Sequence, residues 1–425
     1  MKPDGALLLA SDGALYGTAS EGGRENCGAV FRVSSGGAAE TVASFPATYP
    51  GAGAHLQGGV MQSSNGVLYG VSTAGGRHFL GGVYSVTTNG ALSLLASFDG
   101  TNGVGPSARL VEGRDGALYG ASGFGGSQNF GTVFRVTTNG ELTSLISFAD
   151  TNGAFPYDAL TLGADGTLYG TTRDGGPFKT RDNSGYGTVF SVTTDGNLMP
   201  LVAFAGTNGA HPSGTLIFGK DGALYGVTKR GGLQGFGPGT MFRVTTNGDL
   251  TTLASFGGAA GSSPEGTLFL ARDGALYGTS SDGGINGAGT LFKLTTNNTL
   301  VVVCSFDRSI GARPSGGVVM GADRALYGIC AEQGSRGGGS LFRVDITPPP
   351  PLPLRMFPPT FPCPLSTSEL KLTGPAGATY RVLRATNVAG PWETLQNVTI
   401  GENGLGTLRH TIWGQPRGFY RLATP

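Results

Sequence analysis

The tripeptide Leu-Tyr-Gly recurs seven times, with its tyrosine at Tyr16, Tyr69, Tyr119, Tyr169, Tyr225, Tyr277 and Tyr327. Successive copies lie about 50 residues apart, a fixed period of the kind that marks solenoids, propellers and arrays. The surroundings repeat as well. An apolar stretch such as "GTLIFG" from Gly214 runs into an Asp-Gly pair, "LYGTT" or "LYGVT" follows, then "GTVFRVTT", then "LTSLISF". In the third stretch Thr132, Phe134 and Val136 alternate with Val133, Arg135 and Thr137, the two-residue period of a strand. The fourth is rich in β-branched and apolar residues. Each unit reads as four short strands.

Asp-Gly or Asn-Gly pairs join strands one and two, as at Asp12-Gly13, Asn65-Gly66 and Asp165-Gly166, and strands three and four, as at Asn89-Gly90 and Asn247-Gly248. They predict two-residue hairpins with positive φ. The seventh unit has Asp323-Arg324 instead, and the steric cost of arginine at positive φ predicts a different turn there. Loops of the "TNGAFP" type lead to the next unit and end at Pro106, Pro156, Pro212, Pro264 and Pro314.

One four-stranded meander cannot bury both of its faces, whereas a ring of stacked meanders can, with only short protected edges. The expected fold is all-β: a seven-bladed β-propeller of about 50-residue four-stranded repeats over residues 1–346, a proline-rich linker over 347–364 and a small β-sandwich-like domain over 365–425. A β-solenoid suits the pattern less, because its coils are shorter and lack hairpin turns at two fixed points. The strand count stops one short, since "PPPPLPL" takes the place of a last fourth strand and proline cannot donate to a ladder. The expectation is a chain clipped at its N-terminus, with a strand and a leader upstream.

Composition narrows the partners. Glycine makes 78 of 425 residues and charged residues only 13%, against usual shares of roughly 7% and 25%. The net charge is +1, and no basic block offers an electrostatic reason to bind nucleic acid or an anionic membrane. No apolar run reaches the roughly 18 residues of a membrane span, and "MKPDGALLLASDG" is too short in its apolar part for a signal-peptide core. Cys27, Cys304, Cys330 and Cys363 form no CxxC or zinc spacing. They are expected as single buried thiols, although pairing is not fixed by sequence. A monomer without cofactor or metal is expected.

The unit "DGxLYGTTxxGGxxxxGTVFRVTTxGxLTxLxSFxGTNGAxP", over about residues 4 to 346, resembles the GloVer-type tandem repeat of bacterial choice-of-anchor proteins. The resemblance implies a propeller-like fold and secretion or surface attachment. It implies no activity and no catalytic residues. Residues 347–363 read as an extended polyproline spacer. Beyond them about five or six short strands fit, similar to small β-sandwich modules of secreted bacterial proteins. Trp392, Trp413, Phe419 and Tyr420 there suit either a core or a carbohydrate platform.

A catalytic residue need occur once, while a packing residue recurs in every blade. The repeated tyrosine is therefore expected to pack between blades, and the glycine after it to allow close approach near the ring axis. The loops between strands two and three vary most, and variable loops on a rigid scaffold are where binding resides. They contribute the candidate binding residues Arg77, His78, Phe79, Phe130 and Lys179. Arg181, Asp182, Tyr186, Arg230 and Phe236 complete the set, on one rim, for a glycan or protein ligand. The spacing of Asp174, Asp182 and Asn183 is not that of an EF-hand. No catalytic elbow is recognisable. A non-enzymatic extracellular binding or structural propeller is the favoured reading. A polysaccharide lyase or hydrolase, with carboxylates or a Tyr, His and Arg converging on one mouth, is the alternative.

Overall fold

The computed structural model describes residues 2–33, 39–46, 55–180, 182–232, 237–308, 311–332 and 340–346. In the C-terminal part it describes Gly377 and the strands over 367–373, 379–385, 393–399, 405–411 and 419–423. No α-helix occurs among the described residues. The chain divides into two compact units, Met1–Val344 and Asp345–Pro425.

The larger unit is a propeller-like succession of antiparallel four-stranded meanders, each paired in chain order. The first contains Lys2–Leu9, Leu15–Glu21, Ala29–Val33 and Ala39–Ser44. Toward the end, the meander from Ser262–Leu270 to Leu300–Ser305 is joined to the strands Ala312–Met320, Leu326–Glu332 and Ser340–Val344 through one parallel pair, Thr267 with Gly317. Both faces of the middle strands are buried, because neighbouring meanders stack face to face. Tyr16, Val30 and Phe45 of the first pack with Leu56, Val60 and Tyr84 of the second. Tyr169, Val189 and Phe204 pack in the same way with Leu216, Leu224 and Phe242. The first and last meanders also meet: Leu7, Leu15 and Phe31 share a cluster with Val319, Tyr327 and Ile329.

The turns obey one rule, which is not the two-residue hairpin expected. Gly13 N–H donates to Ala10 O and Ala10 N–H to Ala14 O, both at 3.0 Å, with Gly13 at φ 78°. This is a type I turn followed by a left-handed residue, the three-residue hairpin with a bulge. Asp12 keeps an ordinary φ and uses its carboxylate, Oδ1 accepting from Ala14 N–H at 3.0 Å. The seventh unit makes the same turn, with Arg324 itself at φ 66°, so sequence overstated the power of one Cβ to redirect a turn held on both sides.

The tyrosine does pack against the next meander, but the glycine after it serves its own sheet. A Cβ at Gly120 would stand 2.5 Å from the Phe134 ring and 2.8 Å from Leu110. Phe134 is the cross-strand partner of Gly120, so its ring covers the glycine. Close approach between units falls to first-strand glycines. A Cβ at Gly214 would meet Gly266 O at 2.1 Å, and one at Gly317 would meet Thr267 O at 2.1 Å. The innermost strands therefore touch backbone to backbone.

The smaller unit holds two sheets, 367–373 with 405–411, and 393–399, 379–385 and 419–423 in that order. Trp392, Trp413 and the linker lie outside the described residues.

Candidate functional site

The loop into each unit ends in a residue held at positive φ just before the proline: Phe155 at 59°, His211 at 52°, Ser263 at 52° and Arg313 at 54°. Such a conformation costs about 1–2 kcal/mol outside glycine, and here two backbone bonds hold it. Phe155 N–H donates to Phe130 O of the preceding unit at 2.9 Å, and Phe155 O accepts from Arg173 N–H, just past its own second strand, at 3.1 Å. His211 N–H repeats the first bond with Tyr186 O at 2.9 Å. These residues knit successive units at one end of the sheets, and the side chains that differ between units gather there.

Aromatic and charged groups meet at the third to fifth units. Phe124 is 41% exposed and lies 5.3 Å from Phe155 and 5.8 Å from Tyr157, ring centre to ring centre. Phe155 and Tyr157 are nearly parallel, 14° apart, at 6.2 Å. Gly123 makes room, since a Cβ there would fall 2.2 Å from the Tyr157 ring. The Arg173 guanidinium stands 6.0 Å over the same ring. Burial pushes the Tyr157 phenol up, against the opposing effect of Arg173.

Beside this platform His211 Nδ1 is 2.7 Å from Oδ1 of buried Asp174 and 3.2 Å from Arg173 O. Both partners are acceptors, so Nδ1 is the donor to them.

Just before the first strand of the fourth unit, half-buried Asp158 accepts from Gly214 N–H and, at 3.4 Å, from the Thr171 hydroxyl. Burial raises its carboxyl to about 6, and the charge of Glu265, two units on, adds to the rise. Glu265 is itself paired with Lys229 and accepts from Ser281 Oγ at 3.1 Å. Arg109, just before the first strand of the third unit, has its guanidinium lowered by desolvation alone.

Several of the residues expected from sequence are placed away from this group. Arg77 and His78 line a cleft with Asp99 and Asn102, and Phe79 is 66% exposed at φ 60°. Phe130 joins the platform through Phe155, 6.0 Å away. Lys179 pairs with Asp150 at 2.5 Å. Asp182 is held by Thr180 and by Ser184, whose hydroxyl donates at 2.8 Å, and these bonds bring its carboxyl down to about 2. Tyr186 packs partly into the core and Arg230 is exposed at the end of its strand. Arg181 and Phe236 lie outside the described residues.

Among the described residues no three candidate ligands stand together for a metal; Asp174 turns to His211 and Asp182 to its own loop. Cys27, Cys304 and Cys330 are unpaired thiols. No helix among the described residues is long and apolar enough to cross a membrane.

The residues that reading by loops missed are Tyr157, Asp158, Arg173, Glu265 and the joining of Asp174 to His211. One signal was present. Seven places before the turn residue the units carry Gly5, Gly58, Ala108, Gly214, Gly266 and Gly316, and only the fourth carries a charge, Asp158.

Among solved structures, a mutant of puromycin hydrolase is similar at 15% identity and TM-score 0.53, over 88% of this chain and 57% of that one. A gluconolactonase from Xanthomonas campestris matches at 15% identity and TM-score 0.40, over 62% and 78%. A luciferin-regenerating enzyme matches at 14% and 0.41, over 65% and 87%. At such identities the likeness concerns the fold alone. No curated protein matches the chain. The model of the Gloeobacter/Verrucomicrobia repeat matches residues 2–181 and again 179–349. The chain therefore belongs to the Gloeobacter/Verrucomicrobia repeat family.

Proposed function

We propose that the chain is a seven-bladed propeller of the cell exterior, closed face to face between its first and last blades, that binds a glycan as a monomer. The observation that carries this reading is the Phe124, Phe155 and Tyr157 platform beside Arg173 and the His211–Asp174 pair. Aromatic faces with a few convergent polar groups are the usual furniture of a small-molecule site. A sugar ring offers C–H bonds to the former and hydroxyls to the latter. The platform is built from positions where the units differ, within a frame whose other residues recur. Of the rim residues, Phe130 borders this mouth, while Arg77, His78 and Phe79 would form an outlying edge for a longer polymer.

Affinity electrophoresis of the full chain in gels cast with soluble polysaccharides tests the reading. Retardation that Tyr157→Ala and Phe124→Ala weaken about tenfold, roughly 1.4 kcal/mol, is expected. Undiminished retardation in both variants, or none with any polysaccharide, would count against it.

A further inference from the structure

Most arginines of the repeat commit their guanidinium to an aspartate of their own unit: Arg135 to Asp115 at 2.8 Å, Arg243 to Asp221 at 2.7 Å and Arg343 to Asp323 at 2.9 Å. Arg173 does not. Its Nε stands 3.8 Å from Asp174 Oδ2, beyond hydrogen-bond distance, and its guanidinium lies 6.0 Å over the Tyr157 ring. The other oxygen of Asp174 is already taken, by His211 Nδ1 at 2.7 Å. Among the described residues the Arg173 guanidinium makes no hydrogen bond, and its side chain is 56% exposed. A ring and a carboxylate therefore hold the group in place while its five N–H donors stay available.

Comparison with the sister units shows what those donors lack. The residue three places after the repeated glycine is Gly123 in the third unit, Arg173 in the fourth and Lys229 in the fifth. It meets a fixed position of the following unit, two residues before the first-strand leucine's alanine or threonine neighbour: a Cβ at Gly123 would fall 2.2 Å from the Tyr157 ring, and Lys229 pairs with Glu265. Tyr157 and Glu265 both stand eight places before their turn aspartates, Asp165 and Asp273. In the fifth unit that place, counted from Asp221, is Ser213. The carboxylate that the repeat gives to Lys229 is thus not given to Arg173. A further arginine, the exposed Arg230, is the cross-strand partner of Ala210, next to His211, so the joint carries two arginines to the one carboxylate of Asp174.

We propose that the glycan taken by this mouth is acidic, and that Arg173 binds the carboxylate of a uronic acid residue, an assignment that rests on the glycan reading above. The planar guanidinium fork accepts a carboxylate through two parallel N–H···O bonds. Tyr157 lies between the cation and the exposed stacking face, 6.0 Å from Arg173 and 5.8 Å from Phe124, so one short oligosaccharide reaches both. The uronate carboxylate fills for Arg173 the part that Glu265 plays for Lys229. Because ring and aspartate already fix the arginine, little side-chain freedom is lost on binding.

The test measures binding of the full chain to end-labelled oligosaccharides by fluorescence anisotropy. The probes are pentagalacturonate, the same pentamer with its carboxyl groups reduced to alcohols, neutral xylopentaose and mannopentaose, and a sulfated galactan oligomer of matched length. Pentagalacturonate should bind about tenfold or more tighter than its reduced form, the worth of hydrogen bonds to a charged group. Arg173→Gln should bring the two within about threefold while leaving the reduced form bound as before, and Arg173→Lys should keep an intermediate preference. Arg272→Gln, an equal charge change at an exposed position of the sixth unit, should leave the preference intact. Equal affinity for the charged and reduced pentamers, or a preference that survives Arg173→Gln, overturns the uronate assignment and leaves the glycan reading standing. Tighter binding of the sulfated oligomer than of pentagalacturonate overturns the choice of a carboxylate. No binding of any oligosaccharide overturns both readings.

Discussion

His211 Nδ1 and Asp174 Oδ1 stand 2.7 Å apart across the joint between two successive units. Asp174 is buried, and removal of its partner would leave a carboxylate short of a donor, at a cost of about 1–3 kcal/mol. His211→Ala should lower the urea midpoint accordingly. Asp174→Asn, which keeps an oxygen to accept from Nδ1, should cost less. Equal midpoints for His211→Ala and the unaltered chain would mean that the pair does not hold the joint.

A second comparison lies within the repeat. The Tyr119 hydroxyl donates to Asp115 Oδ2 at 3.0 Å and accepts from Arg135 Nε at 3.3 Å, while Arg135 pairs with Asp115 at 2.8 Å. The same staple from turn to third strand occurs at Asp12, Tyr16 and Arg32, at Asp221, Tyr225 and Arg243, and at Asp323, Tyr327 and Arg343. In the fourth unit Ser191 faces Tyr169, and Asp165 is occupied by the Thr167 hydroxyl at 2.8 Å. Tyr119→Phe should therefore cost about 1–2 kcal/mol, and Tyr169→Phe no more than about 0.5 kcal/mol. Similar losses in the two variants would show that ring packing, not the hydroxyl, decides.

Two residues break the rule of the repeat and should be improvable. Tyr84 covers Gly70 where the other units use phenylalanine, and its hydroxyl is buried without a partner. Burial drives its phenol far up. Tyr84→Phe should stabilise by about 1–2 kcal/mol. Arg324 holds the left-handed turn position at φ 66°, and Arg324→Gly should stabilise by about 1 kcal/mol. Thermal unfolding at neutral pH measures both, and a fall in midpoint for either would refute the assignment of that position.

The units were legible because turn chemistry and strand period recur in each, so Tyr16 and its six counterparts could be read as packing without coordinates. The purpose of the glycine beside them was not, since Gly120 and Phe134 meet only through strand pairing 14 residues apart. The mouth was hidden for a related reason. Asp174 and His211 are 37 residues apart, and they meet only because the loop into the fifth unit bonds back to Tyr186. Searching the most variable loops found Phe130 but passed over Asp158, whose segment looks ordinary until it is compared, position by position, with its sisters.

Asp158 makes stability depend on pH with a definite sign. Its carboxyl lies at about 6, above the ordinary 3.8, so between those values the folded chain holds a proton that the unfolded chain has lost. Stability must then fall as pH rises through that window, and stay lowered above it, by at most about 3 kcal/mol from this one group. Asp158→Asn keeps an oxygen for Gly214 N–H and Thr171 but cannot ionise beside Glu265. It should raise the urea midpoint relative to the unaltered chain at pH 7, and the gain should shrink toward nothing near pH 4. Lys229 and Glu265 are present in both chains, so their own titration drops out of the difference unless the substitution alters their pairing. A gain of the same size at pH 4 and pH 7 would place the effect in packing and remove the case for a proton held at Asp158.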